Sequence, residues 1–161
     1  ERGRRGGTEN VPSIMGFGVA AKEAMDWLTN ENISAMERLR DTFEAKLKEV
    51  LPSSHVNSQG AARAWTTTSV SFPNVKGELL LLMLSERGVC ASSGSACSSG
   101  ASENSKVIDA LETPDDGEWG AIRFSFSRTT TPEEINLAVD AMADVFATLD
   151  SMEYTREVTA T

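Results

Sequence analysis

The sequence is short of the residues that build metal centres, disulfides and membrane spans. It has one histidine and two cysteines separated by six residues. This set fits neither the C-x-x-C spacing of zinc and redox sites nor a disulfide framework, so we expect no metal and reduced thiols. No run approaches the roughly 18 apolar residues of a membrane span, and the first ten residues lack the apolar stretch of a signal peptide. These absences favour a cytoplasmic protein that does not contact a membrane.

Positive charge is scarce in the last third of the chain. Residues 1–100 carry 11 acidic and 11 basic side chains, whereas residues 101–161 carry 13 acidic and four basic ones. The net charge of −9 therefore comes from the C-terminal third. Such an acidic balance disfavours nucleic acid as a partner. It is typical of a solvated helix face, with a docking surface for a basic protein as the alternative.

Hydrophobic periodicity predicts several helices in what is expected to be a single domain of ordinary size. Apolar residues recur every three or four positions from Ile33 to Val50, with Asn32 as the predicted N-cap. Thr131-Pro-Glu-Glu134 predicts an N-cap, a proline at the first helical position and a capping-box glutamate. Further helices are predicted within residues 10–28, at Leu79 to Leu84 as a mostly buried helix followed by Gly88, and after Ser102.

Two segments predict strands. Thr67 to Phe72 is rich in β-branched residues and is closed by a proline. Ile122 to Phe126 alternates, with the aromatic residues on one face and Arg123 on the other. Because strands and helices follow no regular βαβ repeat, we expect an α+β fold, with a small sheet covered by helices. The tail after Met152 is expected to fray.

Residues 92–100 contain only serine, glycine, alanine and cysteine. They offer no apolar anchor, so we expect a mobile loop that carries Cys97 between positions. A mobile thiol suits the collection of sulfur at one place and its delivery at another, and the alternative is a linker with an incidental cysteine. Cys90, beside Val89, is expected to be a buried structural thiol.

Two further features are candidate binding groups. Arg123 points away from the aromatic face of its strand and is suited to a bidentate contact with a carboxylate, or else to a surface ion pair. The segment Gly3 to Thr8 combines glycines, two arginines and a hydroxyl, which suit a phosphate, although a turn without function has a similar composition.

The order of these features resembles a known family. ERGRRGGTENV, SSGSACSSG and, about 25 residues later, AIRFSFSR are similar to the C-terminal part of a pyridoxal-phosphate-dependent cysteine desulfurase, in the class V aminotransferases, of the type with a long active-site loop. The resemblance implies the type I aminotransferase fold, which is α/β for the whole superfamily, and a homodimer. It assigns residues 1–30 to the end of the large cofactor domain and a connecting helix, residues 31–150 to the small domain, and residues 151–161 to the tail.

The resemblance also implies site residues. Cys97 matches the nucleophile that takes sulfur from L-cysteine, leaving L-alanine, and Arg123 matches the arginine that binds the substrate carboxylate. Thr8 matches the threonine that reaches the pyridoxal phosphate of the neighbouring subunit. Cys90 has no catalytic counterpart. The persulfide on Cys97 would pass to an iron-sulfur scaffold or another sulfur acceptor.

The chain departs from the family at the lysine that carries the cofactor, which follows a histidine in family members. The only histidine is His55, and it precedes a valine. The lysines are Lys22, Lys46, Lys48, Lys76 and Lys106, none of which follows a histidine. The sequence therefore predicts a C-terminal portion that is inactive alone. The alternatives are a non-catalytic sulfur carrier or docking module, and a selenocysteine lyase of the same superfamily.

Overall fold

The structure is a computed structural model that describes residues 6–93, 110 and 119–159, with side chains through Met152. Its internal contacts divide the chain into two compact units, Glu1–Ala35 and Met36–Thr161. The predicted helix after Ser102 and the cysteine of the serine-glycine loop lie outside the described residues. No helix in the described ranges is long and apolar enough to span a membrane.

Helix α1 (Val11–Trp27) dominates the first unit. Asn10 caps it, because the backbone N–H of Ser13 donates to Asn10 Oδ1 at 3.2 Å. Lys22 Nζ lies 2.7 Å from Asp26 Oδ2 one turn further along. None of the α1 side chains is buried in the chain, although many of them are apolar.

Helix α2 (Asn30–Val50) begins earlier than the sequence predicted. The expected cap at Asn32 is wrong, because Thr29 Oγ1 accepts the backbone N–H of Asn32 at 3.2 Å. The amide side chain of Asn32 instead donates to the carbonyl of Trp27 at 2.7 Å. Within the second unit, α2 buries Phe43 and Leu47 together with two charged residues described below.

The second unit contains a four-stranded antiparallel sheet with strand order β1-β2-β4-β3. The central strands β2 (Thr67–Pro73) and β4 (Trp119–Ser125) confirm the two predicted strands, although β4 begins three residues early. The edge strands β1 (His55–Val56) and β3 (Ser92–Ser93) have only two residues each, too few to show a periodic pattern. The expected α+β fold is confirmed.

One face of the sheet, the core face, carries most of the large apolar side chains of the central strands. In the register of β2 and β4, Val70 faces Ile122 and both are fully buried. The ring of Phe43 on α2 lies 4.8 Å from that of Phe124, centroid to centroid. The ring of Phe72 lies 5.4 Å from Phe146 on the last helix. Helices from both ends of the second unit therefore cover this face.

Helix α3 (Gly77–Glu86) buries one side only. Leu80 and Leu84 are fully buried, whereas Leu79 is 43% and Leu82 is 61% exposed, so the expectation of burial on most of the helix surface is wrong. The run of leucines fits an amphipathic helix lying on the edge of a core. Gly88 ends the helix at φ 77°, as predicted, and this left-handed conformation favours glycine.

Helix α4 (Pro132–Thr159) begins with the predicted capping box. The backbone N–H of Glu134 donates to Thr131 Oγ1 at 3.2 Å, and the backbone N–H of Thr131 donates to Glu134 Oε2 at 2.8 Å. Two backbone donors at the helix start are thereby satisfied. The helix ends at Thr159, beyond Met152, and the fraying of the tail stays a prediction.

Candidate functional site

The second face of the sheet, which we call the polar face, includes hydroxyl side chains and Arg123. Ser69 on β2 lies opposite Arg123 on β4, and Ser92 on β3 lies on the other side of Arg123. Directly paired residues of neighbouring strands point to the same face, with Cβ atoms about 4.5–5.5 Å apart. Arg123 is exposed and its two neighbours are half-buried. The three residues therefore form an accessible polar row across three strands.

Asn57, just after β1, continues this row to the remaining edge of the sheet. Its backbone N–H donates to the carbonyl of Ser69 at 2.9 Å, which extends the pairing of β1 with β2 by one residue. Its side-chain Nδ2 donates to Ser69 Oγ at 3.0 Å and to Ser71 Oγ at 2.9 Å. Ser71 Oγ donates back to Asn57 Oδ1 at 3.1 Å. Asn57 is 5% exposed, so this amide is locked in place beside the polar row.

Arg123 is placed as the sequence predicted, on a strand and opposite the aromatic face. No hydrogen bond or ion pair engages its guanidinium within the described ranges, so the predicted alternative of a surface ion pair is not realised there. Its carboxylate-binding role stays a prediction. A free guanidinium flanked by hydroxyls is well suited to a carboxylate, because it offers paired donors in a fixed geometry.

The serine-glycine loop starts beside Arg123. Ser92 pairs with Arg123 and Ser93 pairs with Ile122, and the chain then enters residues 94–100. Cys97 itself lies outside the described residues, so its position and role remain predictions. The root of its loop is nevertheless fixed to the strand that carries the candidate carboxylate-binding residue.

Cys90 does not have the predicted environment. It is exposed rather than buried among apolar side chains. The reason is local, since the chain leaves helix α3 through the turn at Gly88 and passes to the outermost strand of the sheet. The expectation of a buried structural thiol is wrong.

Thr8 lies in the first unit, exposed and two residues before the cap of α1. Gly7, before it, has φ 92°, so the backbone turns sharply at this point. A free hydroxyl ahead of a helix N-terminus has the donor chemistry that a phosphate needs, and Thr8 therefore fits the phosphate of the implied cofactor. None of the described lysines follows a histidine, so none of them matches the cofactor-carrying lysine that the resemblance implies. Lys22 pairs with Asp26, and Lys48 donates to the carbonyl of Ser54 at 2.6 Å.

A buried ion pair next to the sheet was missed by sequence reasoning. Glu44 on α2 is 5% exposed and accepts two hydrogen bonds from Arg63, at 2.7 and 3.0 Å, and one from Thr68 Oγ1 at 2.6 Å. These bonds to Glu44 raise the pKa of Arg63. Arg40, 8% exposed, donates to the carbonyl of Ala64 at 2.9 Å. Positions 40, 43, 44 and 47 share one helix face, which is the signal that could have identified both charges as inward-facing.

The polar row and its extension to Asn57 were also missed by sequence reasoning. The alternation of Thr67, Ser69 and Ser71 with larger or apolar residues was visible in the sequence and marks them as one face of a strand. Only the register with β4, however, reveals that this face includes Arg123.

Comparison with known proteins places this chain in a family. The model of the family "Aminotransferase class-V" matches residues 1–137. Cysteine desulfurase NifS of Azotobacter vinelandii is 42% identical over 92% of this chain, and a cysteine desulfurase of Gluconacetobacter diazotrophicus is 43% identical over 94% of it. A NifS-like protein of Rickettsia africae, solved by X-ray methods, superposes with a TM-score of 0.71 at 29% identity, covering 89% of this chain and 36% of that one.

The chain belongs to the class V aminotransferase family. The two curated relatives are both cysteine desulfurases, which confirms the resemblance drawn from the three motifs. The chain spans 37% and 38% of the length of the two curated relatives.

Proposed function

We propose that this chain is the C-terminal part of a cysteine desulfurase. The enzyme would take sulfur from L-cysteine, release L-alanine and hold the sulfur as a persulfide on Cys97. The observation that supports this most directly is the pairing of Ser92 with Arg123, because it roots the cysteine loop beside the group suited to the substrate carboxylate. Substrate binding and sulfur removal would thus occur at neighbouring points of one sheet.

The proposed reaction balances without an external oxidant. The Cys97 thiolate attacks the substrate sulfur and an S–S bond forms, while the Cβ–S bond of the substrate breaks. The electron pair of that bond stays on carbon, which gains a proton and becomes the methyl group of alanine. Pyridoxal phosphate, when bound, withdraws electrons from the substrate Cα and so weakens the bond to sulfur.

The residues of this chain have separate tasks in the proposed enzyme. Arg123 orients the substrate through its carboxylate, with charge-assisted hydrogen bonds. Thr8 donates to the cofactor phosphate of a neighbouring copy, which makes the active enzyme a homodimer. Cys97 carries the sulfur to an acceptor, such as an iron-sulfur scaffold protein, in the cytoplasm. A persulfide is suited to this delivery because its outer sulfur is transferred by attack of another thiol.

The test uses the full-length protein, meaning the product of the whole open reading frame that encodes this chain, reconstituted with pyridoxal phosphate. We expect it to release alanine from L-cysteine and to carry one labile sulfur per subunit, detected by mass spectrometry. Cys97→Ala should reduce both signals to background and leave the absorbance of bound cofactor unchanged. Cys90→Ser is the matched control, because it removes the other thiol, and it should retain nearly full activity.

The results of these measurements distinguish a cysteine desulfurase from the alternative functions. Alanine release that survives Cys97→Ala would overturn the role of this residue, and equal loss in Cys90→Ser would show that the wrong sulfur was chosen. A persulfide on Cys97 without any alanine release would favour a sulfur carrier instead of a desulfurase. Faster turnover of L-selenocysteine with no dependence on Cys97 would favour a selenocysteine lyase.

A further inference from the structure

Two hydroxyl groups of the polar row, those of Ser69 and Ser92, have no acceptor for their hydrogen among the described residues, and only that of Ser69 is held by a neighbouring side chain. A serine hydroxyl has one hydrogen to donate and two lone pairs to accept with. Ser71 Oγ donates its hydrogen to Asn57 Oδ1. Ser69 Oγ accepts from Asn57 Nδ2, and no acceptor for its own hydrogen occurs among the described residues. Asn57 thus fixes the Ser69 oxygen through one lone pair and leaves its hydrogen available to a ligand.

The position of that hydrogen follows from the strand register. Ser69 is the β2 residue directly paired with Arg123, on the same face of the sheet. Ser69 is half-buried while Arg123 is exposed, so a group bound to the guanidinium would reach the serine from the solvent side. A carboxylate has two oxygens and about four acceptor positions, so it has room for a hydroxyl donor beside an arginine.

The structure assigns Ser69 as a second donor for the substrate carboxylate, and Asn57 as the residue that positions Ser69. This assignment rests on the proposed function and adds to it two residues that no sequence motif indicated. The amide of Asn57 is 5% exposed and makes three side-chain hydrogen bonds, so it acts through the serine and does not touch substrate. The carboxylate site is then a built row across the sheet rather than a lone arginine.

The first measurement is steady-state kinetics of alanine formation by the full-length protein with cofactor. We expect Ser69→Ala to raise KM for L-cysteine about tenfold with little change in kcat, since a hydrogen bond to a charged group is lost in ground and transition states alike. Ser69→Thr, which restores a hydroxyl in a strand, should return KM to within about twofold of the parent. Asn57→Ala should raise KM by a smaller factor in the parent but not in the Ser69→Ala background.

Ser125→Ala is the matched control. Ser125 is exposed on the same face and on the same strand as Arg123, but its partner in the register is Thr67. Its KM should equal that of the parent. Equal KM values for Ser69→Ala and Ser125→Ala, in a protein whose Cys97-dependent activity is intact, would overturn the assignment of Ser69 and leave the proposed function standing.

A second measurement separates this inference from the proposed function. Isothermal titration with L-alanine reports carboxylate binding without turnover, and we expect Ser69→Ala to weaken it by about the same tenfold factor. A further outcome is that the protein releases no alanine from L-cysteine and yet binds alanine in a manner that depends on Ser69. That result would contradict the desulfurase proposal and support carboxylate binding by the polar row. Alanine binding unaffected by Ser69→Ala, or absent, would overturn the row.

Discussion

At the scale of single residues, the second unit is organised by charges that face inward. Glu44 and Arg63 form a pair with two hydrogen bonds, and Thr68 donates a third to the same carboxylate. The pair connects helix α2 to the segment that leads into β2. Burying a charge is costly unless every partner is present, so each member of this pair depends on the other.

Removal of one partner should therefore be severe. We expect Arg63→Ala to lower the free energy of unfolding by about 3 kcal/mol, because the Glu44 carboxylate is left buried without its counter-charge. Urea denaturation of the chain at low protein concentration measures this. Lys22→Ala is the control: its ion pair with Asp26 is exposed, with side chains 75% and 65% accessible, and should change stability by less than about 0.5 kcal/mol.

Two further observations would check the mechanism. Adding Glu44→Gln to Arg63→Ala should recover part of the loss, since a neutral amide is cheaper to bury than a charge. The pKa of Arg63 is raised in the folded state, so its contribution is complete below the unfolded pKa and is lost only in strong alkali. A loss from Arg63→Ala no larger than that from Lys22→Ala would contradict this account.

At the scale of elements, the approach of α3 to the sheet depends on a glycine. A Cβ at position 120 of β4 would overlap the carbonyl oxygen of Val75 and lie 2.6 Å from the backbone nitrogen of Gly77. Both atoms are backbone, so neither can turn aside. This contact sets where α3 begins, and α3 leads through Gly88 to β3 and the root of the cysteine loop.

We expect Gly120→Ala to destabilise the chain by about 1–3 kcal/mol, because the added methyl group forces the start of α3 away from β4. Hydrogen exchange should show lost protection in α3 and β3 before the rest of the sheet. The control is Gly16→Ala in α1, where a Cβ meets nothing within 4 Å and alanine favours the helix. Wild-type stability in Gly120→Ala would show that the close approach of α3 is not required.

At the scale of the whole molecule, the sequence predicted the parts with strong local signals. The capping box at Thr131, the alternation around Arg123 and the periodicity of α2 each depend on residues a few positions apart, and each was confirmed. Pairings between distant residues have no local signal. The row of Asn57, Ser69 and Arg123 joins segments up to 66 positions apart, and only the strand register brings them together.

The burial of some side chains was likewise not visible in the local pattern. Cys90 and Leu82 have apolar neighbours in sequence, yet both are exposed, because burial depends on which side of an element meets another. Helix α1 is the extreme case. Its residues are as apolar as those of a core helix, and none of them is buried within this chain.

The exposed side of α1 leads to a prediction for the chain by itself. Its large exposed apolar residues are Val11, Ile14, Met15, Phe17, Val19 and Met25, from 58% to 77% accessible. Large apolar side chains exposed together on one helix favour association in water. We expect the purified 161-residue chain to self-associate as its concentration rises, measured by sedimentation velocity.

The double variant Ile14→Ser, Phe17→Ser should keep the chain monomeric over the same concentrations, because it removes two large apolar side chains from one turn of α1. Leu137→Ser is the matched control: Leu137 is an apolar residue of α4 that is 67% exposed, and its replacement should leave self-association unchanged. A chain that sediments as a monomer at every concentration would contradict the expectation. Loss of association in Leu137→Ser alone would show that the chain associates through α4 rather than α1.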